Sequence, residues 1–160
     1  LIAAEDVTAE GGKISSARLR RLIMQGEIAA ANRLLGANYS VDGEIVTGNK
    51  FGRQLDFPTA NQVIEPGTVC PKFGVYVSRA TIGGREVKGI TNIGVKPTVG
   101  YEGMPLAETH FLGFSGDLYG RKLSVELLSF LRPELKFNSA DELKERICRD
   151  IEAAEKFWDI

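Results

Sequence analysis

The apolar positions change period twice along the chain. From residue 17 the pattern is helical, with Leu19, Leu22 and Ile23 on one face and Arg18, Arg20 and Arg21 around the other. Ser15 or Ser16 supplies a capping oxygen for such a helix and Gly26 ends it. A second helical stretch over 27–35 closes at Gly36, while residues 1–13 have no clear period and read as a lead-in. From Tyr39 the period becomes two. Segments 39–47, 74–82, 85–93, 108–114 and 123–131 are rich in Val, Ile, Tyr, Phe and Thr and predict strands. Gly83 and Gly84 form a two-residue hairpin turn. Short strands without intervening helices predict a mainly β protein whose antiparallel sheet closes into a small barrel. Near the end the helical period returns. Ser139 and Glu142 make a capping box, and Leu143, Ile147, Ile151, Ala154 and Trp158 form one stripe. Glu142 with Arg146, and Glu145 with Arg149, are spaced as i,i+4 pairs on the solvated side. This helix is expected to lie across the barrel and to carry no binding role.

Composition narrows the picture. The 160 residues allow one well-buried core, and 43% apolar with 26% charged residues is an ordinary globular balance. A formal net charge of −1 gives no global pull toward nucleic acid or acidic membranes. Three arginines beside two short helices raise the alternative of a regulator that binds nucleic acid through the N-terminal helices, but no recognition helix follows. Cys70 and Cys148 are far apart and form no CxxC pair, so neither a disulfide nor a zinc site is expected. No signal peptide or membrane-spanning apolar run is present, which makes the expected location cytoplasmic.

Candidate chemistry concentrates in residues 48–61, GNKFGRQLDFPTAN. Gly48 and Gly52 let the backbone approach a ligand, and Arg53 offers a planar donor fork suited to phosphate. Pro58 fixes its own φ and holds Phe57 extended, so Thr59 and Asn61 project to the same side. Their hydroxyl and amide oxygens are hard donors of the kind Mg²⁺ accepts beside phosphates. Segment 94–106, with Pro97, Gly100, Gly103 and Pro105, has no apolar period and reads as a long loop able to act as a lid. In the strand ETHFLGF either Glu108 or His110, the sole histidine, is a candidate general base. There is no P-loop, dinucleotide fingerprint or protein-kinase motif set.

The segment GRQLDFPTAN resembles the GRxLGFPTAN signature of riboflavin kinases, in particular the kinase module of bacterial bifunctional riboflavin kinase/FAD synthetases. Asp56 stands where that signature has glycine. NIGVKPT at 92–98, ETH at 108–110, DLYG at 117–120 and LRPE at 131–134 are similar to further family motifs in the same order. The resemblance implies a Greek-key barrel that phosphorylates riboflavin with ATP and Mg²⁺, yielding FMN and ADP. It implies Glu108 as the base and Thr59 with Asn61 as metal ligands. It also places Gly48, Gly52, Arg53, Phe57, Pro58, Thr59, Leu118 and Gly120 at the nucleotide, and Asn92 and Arg132 at the flavin. Residues 1–38 are similar to the end of the adenylyltransferase module that precedes this kinase, and 39–160 to the kinase barrel with its C-terminal helix. The HxGH motif of the adenylyltransferase is absent, so FAD synthesis is not expected of this chain alone. The partners implied are small-molecule substrates and a covalently continuous adenylyltransferase module, with neither nucleic acid nor membrane. A non-catalytic flavin- or nucleotide-binding module of the same fold is the alternative. The truncated module would leave Leu22 and Ile23 uncovered.

Overall fold

The structure, a computed structural model, describes residues 8–9, 12–13, 15–48, 52, 55–95, 101 and 103–159. A two-stranded hairpin, β1 (Thr8–Ala9) and β2 (Gly12–Lys13), precedes two helices, α1 (Ser16–Gln25) and α2 (Ile28–Leu35). Six strands follow: β3 (Ser40–Glu44), β4 (Ala60–Val63), β5 (Gly74–Ile82), β6 (Arg85–Val95), β7 (Pro105–Phe111) and β8 (Lys122–Pro133). Helix α3 (Ala140–Trp158) ends the described chain. The spatial order is β3-β8-β5-β6-β7-β4, every pairing antiparallel.

Strand β4 closes this sheet into a barrel, although its sequence ANQV carries no strand-like apolar pattern. Gln62 is fully buried, and its Nε2 faces the carbonyls of Val41 (3.3 Å) and Gly43 (3.1 Å) next to β3's free edge, and that of Leu123 on β8 (2.9 Å). Val46 N–H donates to Asn61 O at 2.8 Å, adding one backbone rung to the same seam. The side chain thus supplies pairing that the short backbone cannot.

Two apolar clusters occupy the barrel. One contains Val41, Ile64, Tyr76, Ile93, Ala107 and Leu127, together with Ile23, Ile28 and Ala31 from the helices. Leu22 packs against that cluster and Ile23 is buried, so the exposure expected of these two does not occur. Burying a side chain such as Ile28 contributes about 1.5–3 kcal/mol. Asn32 fastens α2 in place by donating to Leu127 O at 2.8 Å and accepting from Tyr39 N–H at 2.7 Å. The second cluster, with Ile45, Ala60, Ile82, Phe111, Leu118 and Val125, fills the opposite end. The fully buried hydroxyls of Ser78, Thr91 and Thr109 satisfy one another at 2.7 and 2.8 Å.

Local signals account for the ends of the elements. Ser15 Oγ accepts from Arg18 N–H, and Gly26 at φ 82° closes α1 with the paired bonds Gly26 N–H to Ile23 O and Glu27 N–H to Leu22 O. Gly83 (φ 59°) and Gly84 (φ 79°) make the expected β5–β6 turn. Strand β6 runs to Val95 and β7 starts at Pro105, because Gly94 and Val95 pair with Leu106 and Pro105. The loop expected from 94 is therefore shorter, and most of what remains, 96–100 and 102, lies outside the described residues. The strand expected over 108–114 ends at Phe111, where a turn begins with Phe114 N–H on Phe111 O. Both cysteines are free thiols, Cys70 half-buried and Cys148 exposed.

Helix α3 lies on the outer face of the sheet. Ala154 is buried there with Val75, Val77 and Ile90, and Ile147, Ile151 and Trp158 pack around them. Ser139 Oγ accepts from Glu142 N–H at 3.1 Å, while the Glu142 carboxylate reaches back to Asn138 N–H at 2.9 Å. Arg149 pairs with Glu145 as its spacing predicts, but Arg146 pairs with Asp150 at 3.1 Å.

Candidate active site

One transverse row of the sheet carries most of the candidate residues. Asn61 on β4 is the cross-strand partner of Glu108 on β7, and Glu108 is the partner of Asn92 on β6. Asn92 pairs with Val75 on β5, and Val75 with Arg132 on β8. Directly paired residues point to one face, so five adjacent strands present Asn61, Glu108, Asn92, Val75 and Arg132 side by side. All five line a cavity of about 370 Å³. Leu143, Ile147 and Asp150 of α3 form its roof, with Phe57, Leu55 and Gly52 from the flap along one side. The helix thus walls this cavity with two residues of its apolar stripe and with Asp150.

A second cavity of about 480 Å³ opens at the barrel mouth, between Pro58 and Ala60 on one side and Phe114, Asp117 and Leu118 on the other. Thr59 lines both cavities, so they meet at its side chain. Pro58 and Leu118, expected at the nucleotide, border this second cavity, whereas Gly52 and Phe57 border the first. Gly120 lines neither. It takes φ 73° and donates its N–H to Ile45 O at 3.0 Å, which turns the DLYG loop back toward β3. Arg53 lies outside the described residues.

Gly48 lines neither cavity but shapes one. A Cβ at this position would stand 2.6 Å from Asn61 Nδ2 and 2.7 Å from its Cγ, so only glycine leaves the amide where it is. Asn61 is buried, its Nδ2 reaches Thr59 O at 3.4 Å, and its Oδ1 has no hydrogen-bond partner among the described residues. A buried oxygen acceptor without a donor costs free energy unless a ligand satisfies it. No cluster of three His, Cys, Asp or Glu side chains suited to a metal occurs among the described residues. A cation here would therefore draw on neutral oxygens and on a ligand.

The flap is held by its own backbone. Gly52 O accepts from Leu55 N–H (3.2 Å) and Phe57 N–H (2.8 Å), and Asp56 between them takes φ 67°. That left-handed position favours glycine and admits aspartate at modest cost, which explains how Asp56 fits where the signature has glycine. Its carboxylate pairs with Lys144 of α3 at 3.0 Å and so spans from flap to roof.

Two features of the site were not expected. Arg132 is neither a free strand-end cation nor simply aimed at the cavity. Its Nε and Nη2 lie 2.7–2.9 Å from both oxygens of buried Asp150, and its Nη1 donates to Pro133 O at 2.9 Å. The available signal was an aspartate three residues after Ile147, inside the apolar stripe of α3, where a charge needs a partner. His110 Nδ1 meets Pro58 O at 2.9 Å, and its ring meets Phe57 edge to face at 5.4 Å. Nothing local to the sequence joins residues so far apart.

Two cavities that share Thr59 in their walls, with the Glu108 carboxylate and the buried Asn61 amide alongside, give the candidate site room for two ligands. The chain belongs to the riboflavin kinase family, whose family model, described as Flavokinase: Riboflavin kinase, matches residues 35–158. It is 40% identical over 152 residues to the bifunctional riboflavin kinase/FMN adenylyltransferase of Pseudomonas fluorescens, covering 95% of this chain and 49% of that protein. The crystal structure of a Streptococcus pneumoniae protein called macrolide-efflux protein matches with a TM-score of 0.84 and 35% identity, over 94% of this chain and 49% of that one. Riboflavin kinase from Trypanosoma brucei shares the fold, with a TM-score of 0.54 and 21% identity over 75% of this chain and 79% of its own. The chain spans about half the length of the curated relatives it matches. No described helix is long and apolar enough to cross a membrane.

Proposed function

We propose that this domain transfers the γ-phosphate of ATP to the ribityl 5′-hydroxyl of riboflavin, giving FMN and ADP. The observation that carries the reading is the pairing of Glu108 with Asn61 beside Thr59, where the two cavities meet. Riboflavin occupies the cavity under α3. Its flat ring lies against Leu55, Phe57, Leu143 and Ile147, and its ribityl chain runs toward Asn92 and Glu108. ATP occupies the mouth cavity, with the base toward Leu118 and the phosphates toward Pro58 and Thr59. The flap residues Gly48 and Gly52 and the turn at Gly120 shape the approach to the phosphates.

Glu108 accepts the proton of the ribityl hydroxyl as its oxygen bonds to the γ-phosphorus. The bond from that phosphorus to the bridging oxygen breaks, and the electron pair leaves with ADP. Thr59 and Asn61 would hold Mg²⁺, which would supply positive charge against the phosphates of the nucleotide. The unpartnered Asn61 Oδ1 and the glycine cradle at Gly48 fit such a cation. The Asp150 clasp leaves Arg132 one hydrogen on each Nη for the flavin. Asp56 does not argue for a non-catalytic module, since its carboxylate is paired with Lys144.

In the longer protein, we infer, this kinase is continuous with an adenylyltransferase half that consumes FMN, as the names of its relatives indicate for them. The test is FMN formation by the purified chain from riboflavin, ATP and Mg²⁺, read by chromatography with an EDTA control. Conversion abolished by EDTA is expected. Flavin binding without conversion would favour the non-catalytic module.

A further inference from the structure

We propose that His110 is a positioning residue for phosphoryl transfer, holding the corner formed by Phe57, Pro58 and Thr59 in register with the base; the role rests on the kinase reading above. The pairing of β4 with β7 begins at Ala60 opposite Thr109. Just before it, the chain at Pro58 has no N–H to offer, and Pro58 O lies beyond the last backbone rung. The imidazole takes over that rung, Nδ1 lying 2.9 Å from Pro58 O. A carbonyl only accepts, so Nδ1 is the nitrogen that donates to Pro58 O.

The same ring meets Phe57 edge to face at 5.4 Å with an interplanar angle of 85°. One side chain therefore grips two successive residues of the corner, and the next residue is Thr59, which lines both cavities. His110 stands two residues from Glu108 on β7, and both line the cavity under α3. Thr109 between them points into the barrel, where its hydroxyl bonds to Thr91 at 2.8 Å and fixes the strand from the other face. The base and the corner bearing the metal-binding hydroxyl are thereby gauged from a single strand. Removing a side chain that holds a metal-binding residue in place lowers metal affinity by about 10- to 100-fold.

His110 is the only histidine in the chain, so a ¹⁵N spectrum of the protein contains one imidazole. The role requires a hydrogen on Nδ1, and a ring protonated on Nε2 alone would overturn it. Replacement then tests the consequence. His110→Leu is expected to weaken Mn²⁺ binding with ADP, followed by electron paramagnetic resonance, by about tenfold. His110→Asn, whose amide N–H can reach Pro58 O, is expected to restore most of that loss and most of the turnover. A folded His110→Leu that binds Mn²⁺ and ADP as wild type does would contradict the proposal. So would an Asn variant as impaired as the Leu one. A wild-type protein that makes no FMN defeats the kinase reading and this role with it, whereas an active wild type with a ring protonated on Nε2 alone defeats only the role.

Discussion

Glu108 and Asn61 are direct partners across the β4–β7 ladder, which sets a carboxylate beside a buried amide whose Oδ1 has no donor among the described residues. Opposed positions of this kind hold their Cβ atoms about 5 Å apart. The proposed base and the proposed metal ligand are thus separated by backbone pairing, not by adjustable loops. Sites built on strands keep such distances more closely than sites built on loops.

That spacing makes Gly48 a sensitive position. In Gly48→Ala the new Cβ would stand 2.6 Å from Asn61 Nδ2, and the amide must move. The Mg²⁺ concentration needed for half-maximal FMN formation should rise about tenfold, a larger change than that in riboflavin affinity, because Asn61 is one of many residues lining the cavity under α3. An unchanged Mg²⁺ requirement would remove Asn61 from the metal site.

The roof over the cavity under α3 depends on Asp150. Its side chain is 3% exposed and accepts from Arg132 and Arg146. Asp150→Ala leaves Arg132 buried without its partner and should cost about 3–5 kcal/mol in urea unfolding. Glu145→Ala, which removes the exposed pair with Arg149, should leave the unfolding midpoint unchanged within error. Comparable losses in the two variants would show that the clasp does not fix α3.

Gln62 closes the barrel through its side chain, so Gln62→Leu strips donors from the carbonyls of Val41, Gly43 and Leu123. Leaving a buried acceptor unsatisfied costs about 1–3 kcal/mol, and the loss should appear in urea unfolding. Amide exchange in β3 should quicken more than in β5 if this side chain secures the seam.

Alkaline conditions should loosen the end of the barrel capped by α1 and α2. Tyr39 donates to Val69 O, and burial, with Cys70 and Asp42 nearby, pushes its phenol from 10.0 up to about 12. Tyr76, bonded to Lys72 O, is likewise raised by burial and by Cys70. In the unfolded chain both phenols lose their protons near pH 10, while the folded protein retains them. The folded state then binds more protons, so stability is intact below about pH 10 and falls as pH rises toward 12. Tyr39→Phe should flatten that fall, as followed by unfolding at a series of pH values.

The helices and the β5–β6 hairpin were legible because their signals are local, whereas the β1–β2 pair lies in a stretch read only as a lead-in. Ser15, Gly26 and Gly36 bound α1 and α2, and the expected bounds of β5 agree with Gly74–Ile82. Strand β4 was not legible, because Asn61 and Gln62 are buried for what they meet across the seam and not for hydrophobicity. The expected start of β7 came late for a similar reason, since pairing with Gly94 and Val95 carries Pro105 and Leu106 into the strand. Of the site, motifs in sequence order pointed to Thr59, Asn61, Asn92, Glu108 and Arg132, and the structure brings these to one cavity. The clasp of Arg132 on Asp150, 18 residues away, and the bond from His110 to Pro58, 52 residues away, depend on how α3 and the flap dock. No local pattern encodes either contact.

The most direct measurement of the central claim is a single-turnover comparison of the unaltered chain with Glu108→Gln, following FMN formation beside riboflavin binding by fluorescence. The glutamine keeps the size of the side chain but accepts no proton. The account predicts that FMN formation slows by about 10²- to 10⁴-fold while riboflavin still binds. Glu108→Gln that turns over at the rate of the unaltered chain would contradict it.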